Sequence, residues 1–107
     1  MENVLIEVCY EGVDNYRSSM YAYMCTEDSS FKNENPTIIH PIAFTPGKTE
    51  SIIREICKDI KVIFYTDMGW SKCMKKSLLD CVQNNRPFEK RKLDLKTIRK
   101  RFPFYEI

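Results

Sequence analysis

The chain has 107 residues, 43% hydrophobic and 30% charged, with a formal net charge of +2. That is the size of one domain with its own core, and the composition is that of a globular rather than a disordered chain. No apolar run approaches the ~20 residues that span a bilayer. The opening Met1-Glu2-Asn3 lacks the basic start of a signal peptide, so one cytoplasmic domain over 1–107 with no membrane partner is expected.

Val4 to Tyr10 is apolar on both faces apart from Glu7 and reads as a central buried strand. Glu11 to Asn15 is a turn. Tyr16 to Cys25 alternates, with Met20, Ala22 and Met24 against Tyr21, Tyr23 and Cys25, and reads as a hairpin partner to the first strand. Thr26 to Pro36 reads as polar loop and Thr37 to His40 as a short third strand.

Pro46 or Thr49 opens a helix whose stripe is Ile52, Ile53, Ile56, Cys57 and Ile60. Lys61 to Thr66 is a buried strand, reached by a crossover that predicts parallel pairing. Ser71 to Gln83 is a second helix, with Cys73, Met74, Ser77, Leu78, Cys81 and Val82 inward. Asn84 to Pro87 breaks it. A third helix runs from Leu93 or Asp94 to Arg101, stopped by Pro103 before the apolar tail Phe104 to Ile107. The expected class is α/β, with a small mixed sheet of about four strands and about three helices.

The five cysteines form no C-x-x-C pair, which argues against a zinc knuckle or redox motif and for buried free thiols. His40, the only histidine, has no nucleophile motif beside it and reads as a loop residue. The charge is polarised: residues 1–60 carry a net −5, and residues 86–107 a net +5. Lys90, Arg91, Lys92, Lys96, Arg99, Lys100 and Arg101 form the positive cluster, with Phe88, Phe102, Phe104 and Tyr105 interleaved. Clustered cations suit phosphates and aromatic rings suit bases. The same residues equally suit a solvated helix face or an acidic protein. Trp70, in the turn after a strand, is a core residue or a partner contact.

Taken in order, strand-strand-strand-helix-strand-helix-helix, the elements resemble the front of the RNase H-like fold of DnaQ-like (DEDD) 3′–5′ exonucleases. Val4 to Gly12 resembles that family's first motif, and His40-Pro41-Ile42-Ala43 the turn before its first helix. Lys61 to Met74 resembles its second motif, and Leu93 to Pro103 the helix that follows. Such enzymes hold two divalent metals on four carboxylates. Glu7 stands at the first ligand position, the second is Cys9, and the third falls on Trp70, with Asp67 three residues earlier. Cys9 is too soft for Mg²⁺. The resemblance therefore implies a degenerate site that does not cut.

The expected function is binding of nucleic acid or a nucleoprotein through the basic C-terminal helix. The alternative is a protein-interaction module, an inhibitor or accessory subunit, that uses Trp70 and the apolar tail on a protein partner or a second copy. A weak nuclease is a third reading, with Glu7 and Asp67 as candidate ligands for Mg²⁺ or Mn²⁺; otherwise no cofactor is expected.

Overall fold

Among the described residues four parallel strands form the sheet, in the order β2-β1-β3-β4. The computed structural model describes residues 1–39 and 58–94, together with Glu55, Lys96 and Lys100. Its elements are β1 (Glu2–Val8), α1 (Asn15–Phe31), β2 (Glu34–Ile39), β3 (Lys61–Tyr65), α2 (Lys72–Gln83) and β4 (Phe88–Arg91). The α/β class and the strand count are as expected. The sheet is parallel rather than mixed, and the order strand-helix-strand at the N-terminus replaces the expected run of three strands.

The main correction is the second element. Tyr16 to Cys25 is not a hairpin strand but the first part of α1, which continues through the expected loop to Phe31. Asp14 caps it, its carboxylate accepting from the Arg17 N–H at 2.9 Å. Asn33, at φ 63°, ends it in the left-handed conformation that asparagine tolerates. The chain then turns straight into β2, which pairs parallel with β1 so that Ile6 lies beside Ile38.

Strand periodicity divides the core between two faces. Val4, Ile6, Val8, Ile63 and Tyr65 pack under α1 with Tyr21, Ala22, Met24 and Cys25. Leu5, Cys9, Val62 and Phe64 pack under α2 with Met74 and Cys81. Helices therefore cover both sides, as an all-parallel sheet requires. Each fully buried Leu, Ile or Phe here contributes about 1.5–3 kcal/mol.

α2 lies where the sequence places it. Ser71 is its N-cap, accepting from the Met74 N–H at 3.1 Å. Met74, Ser77 and Cys81 face inward, while Cys73 and Val82 are exposed, contrary to expectation. At its end Asn85 is left-handed, φ 53°, and the Arg86 N–H bonds the Cys81 carbonyl at 2.9 Å. That closure matches a Schellman motif. It returns the chain to the sheet as β4, a strand the sequence reading missed.

The helix expected before β3 lies outside the described residues, apart from the helical, exposed Glu55. Of the third helix, only Lys96 and Lys100 are described beyond Asp94; both are helical and exposed. No helix among the described residues is long and apolar enough to cross a membrane.

Candidate binding surface

The order of strand addition reverses at β1: the chain steps outward from β1 to β2, then returns to the other side of β1 to add β3 and β4. In open parallel sheets the crevice beyond such strand ends holds ligands. Here Glu11 follows β1, and Asp67 to Ser71 follow β3. The crevice is furnished by the chain itself. The first free N–H of α2, that of Lys72, points to the Glu11 carboxylate at 3.4 Å. A carboxylate thus sits where the positive end of the helix favours an anion.

Asp67, expected as a possible metal ligand, is fully engaged under α1. The Tyr21 hydroxyl donates to it at 2.6 Å and accepts the Asp67 N–H at 3.0 Å. The Leu93 N–H donates to the same carboxylate at 3.2 Å. Burial and this bond push the Tyr21 hydroxyl well above the ordinary tyrosine range.

Glu7, the other candidate ligand, is buried on the opposite face and accepts a hydrogen bond from Ser77 of α2. The two carboxylates thus point to opposite sides of the sheet and do not fit a shared metal pair. Cys9, in the cluster under α2, is buried. Among the described residues no group of three or more His, Cys, Asp or Glu stands ready to hold a metal ion.

The basic run Lys90-Arg91-Lys92 is divided by the strand it belongs to. β4 lies beside β3 with Phe64 opposite Lys90 and Tyr65 opposite Arg91. Lys90 therefore takes the α2 face and Arg91 the α1 face.

On the α2 face, Trp70 packs on Phe64 with ring centroids 5.3 Å apart, and Phe88 meets Phe64 edge-on at 6.3 Å. The Lys90 ammonium lies 5.6 Å from the Trp70 ring centroid, a cation–π contact. Trp70 is half-buried, and Lys90 and Phe88 are exposed. Lys72, Lys75 and Lys76 of α2 are exposed as well, and so is Lys92 beyond β4. The basic surface expected from the sequence does not include the α2 lysines. Their position one turn after Trp70 was the available signal.

On the α1 face Arg91 is consumed by structure. Its guanidinium donates to both Glu34 oxygens, at 2.8 and 3.0 Å, and to Glu89 at 2.6 Å. The Arg91–Glu34 pair is nearly buried, with side chains 10% and 9% exposed. Arg91 holds both carboxyls below the usual range, that of Glu89 at about 2. It therefore belongs to the fold rather than to an exposed binding patch. Arg99, Arg101, His40 and the tail from Phe102 to Ile107 lie outside the described residues.

An open groove of about 800 Å³ lies beside α2 and is lined by Cys73, Lys76, Ser77 and Asp80 of that helix. Its walls mix Lys58, Lys76 and Arg86 with Glu55, Asp59 and Asp80, so it favours no sign of charge. Comparison of the chain with family models, curated proteins and solved structures gave no match.

Proposed function

We propose that this is a non-catalytic nucleic-acid-binding domain whose contact surface is the α2 face of the β3-α2-β4 half. The observation that carries the proposal is the Lys90–Trp70 contact at 5.6 Å, which joins an exposed cation to an aromatic platform. Lys72, Lys75, Lys76, Lys92, Lys96 and Lys100 are exposed in the same half of the chain and supply cations for phosphates. A base stacking on Trp70 takes the place of the Lys90 ammonium, which is then released toward a phosphate. Single strands suit such a platform because every base has a π-face. The engagement of Glu7 and Asp67 on opposite faces supports binding without cleavage.

Trp70 is the only tryptophan, so its fluorescence reports directly on the surface. Titration with single- and double-stranded DNA and RNA is expected to quench it, more weakly as salt rises, with a slope of about −0.7 per phosphate contacted on single strands. Addition of Mg²⁺ or Mn²⁺ is expected to give no cleavage. Absence of both quenching and binding at low salt would sink the proposal.

A second reading, a protein-interaction module, is favoured by the exposure of Leu79, Val82 and Phe88, at 56%, 58% and 39%. Leu79 and Val82 are three apart on the outer side of α2. Charge reversal at Lys90 and Lys92 leaves such a module working, whereas it abolishes nucleic-acid binding.

A further inference from the structure

The segment Arg91 to Asp94 leaves the sheet at the end of β4 and leads into the basic region. Arg91 is tied to β3 by the Thr66 N–H on its carbonyl at 3.0 Å and by its own bond to the Tyr65 hydroxyl at 3.2 Å, and carboxylates and the core add further holds along the segment. Arg91 grips Glu34 with two bonds. The Leu93 N–H donates to Asp67, and the Leu93 side chain is buried in the cluster under α1. The Asp94 N–H approaches Asp28 at 3.5 Å. These amides lie beyond the end of the strand, so the carboxylates supply acceptors that the ladder cannot.

The three carboxylates come from β2, α1 and the turn after β3, and each is itself held. Ser29 donates to Glu34 at 2.8 Å. Tyr65 donates to Asp28 at 2.6 Å, as does Lys32 at 2.8 Å. Tyr21 holds Asp67. Glu89, bridged to Lys61 at 3.0 Å, adds a fourth acid beside Arg91. Lys92, exposed between these anchors, is free to face solvent while its neighbours are fixed.

We propose that Asp67, Asp28 and Glu34 are positioning residues that clamp Arg91–Asp94 and thereby orient the exposed Lys92 relative to the Trp70 platform. The proposal rests on reading that platform as a nucleic-acid site, and it deepens that reading by naming what fixes the geometry of its two parts. No clamp residue is expected to touch nucleic acid.

The test is hydrogen exchange on the full chain, read at the Leu93 and Asp94 amides, alongside binding of labelled oligothymidine at low salt. Asp67→Ala removes the Leu93 acceptor and is expected to speed exchange there about tenfold, the scale of one lost hydrogen bond. Affinity for the oligonucleotide is expected to fall with it, while Asp67→Asn, which keeps a carbonyl acceptor, restores most of both. Tyr21→Phe, a milder change that only loosens Asp67, is expected to move both readouts in the same direction by less.

Unchanged exchange at Leu93 in Asp67→Ala overturns the clamp. Faster exchange with unchanged affinity shows a staple that does not orient the binding surface, and overturns the proposal equally. Failure of the unaltered protein to bind defeats the nucleic-acid reading, and the exchange rates then still decide whether the clamp exists.

Discussion

Ser77 of α2 donates its hydroxyl proton to the carboxylate of Glu7, a residue 1% exposed in the central strand. A carboxylate in that position is costly unless donors surround it. Ser77→Ala is expected to destabilise the fold by about 1–3 kcal/mol, because it strips a donor from a buried acceptor. Replacing both partners, as Glu7→Leu with Ser77→Ala, is expected to recover much of the loss. Urea midpoints of the single and double variants measure the coupling directly.

Lys90 and Arg91 are adjacent, similarly charged and expected to behave oppositely. Lys90→Glu leaves the urea midpoint nearly unchanged and weakens oligonucleotide binding. Arg91→Met removes the cation shared by Glu34 and Glu89, and is expected to cost about 3–5 kcal/mol, the scale for breaking a buried ion pair. Equal stability losses at the two positions would contradict the division of the run between two faces.

Acid should weaken the fold through the same pairs. Arg91 holds the Glu34 and Glu89 carboxyls below their ordinary range. As pH falls, the unfolded chain takes up protons first, near the usual glutamate value of about 4.3. The stability these pairs supply is therefore complete at neutral pH and declines below about pH 5. It continues to decline toward about 2, where Glu89 of the folded chain is itself protonated. Urea midpoints from pH 7 to pH 2.5 are expected to fall, and to fall less steeply in Arg91→Met.

The end of α2 offers a test of backbone conformation alone. Asn85 sits at φ 53°. Asn85→Gly is expected to be neutral or mildly stabilising, because glycine adopts this conformation without penalty. Asn85→Val is expected to cost about 1–2 kcal/mol, since a β-branched side chain collides with the backbone there.

β1, β3 and α2 were legible in the sequence because each carries one clear period. β1 and β3 are short apolar runs buried on both faces, and α2 has its cap and an inward row at Met74, Ser77 and Cys81. α1 was hidden because both of its sides are mixed. Its inner side includes Ser18, Asp28 and Ser29, while Tyr16, Tyr23 and Phe31 lie exposed outside. The inward apolar residues Tyr21, Ala22, Met24 and Cys25 span barely more than one turn between polar Ser18 and Asp28, so local alternation resembles a strand. The overlooked signal was Asp14, a capping residue just ahead of it.

The candidate surface was legible in parts that did not assemble. Trp70 and Lys90 were each singled out, but their meeting depends on β4, whose Phe-Glu-Lys-Arg sequence has only one apolar residue. Once that segment is a strand, alternation sends Lys90 to Trp70 and Arg91 to Glu34. A charge count along the sequence cannot separate the two. Nor could it show that Glu7 and Asp67 turn away from each other, since that depends on which helix covers each face.

The parallel order also governs when the chain can fold during synthesis. β1 is made first, but its Val4 must pair with Lys61, and β3 in turn lies beside the late strand β4. The central strand is followed closely by α1 and β2, which cover one face and one edge, while its other face and edge stay uncovered until β3 and α2 are made. Closing the sheet waits for β3, α2 and β4, and during that delay the α2 face of β1, with Leu5 and Cys9, is the apolar surface exposed to misassembly.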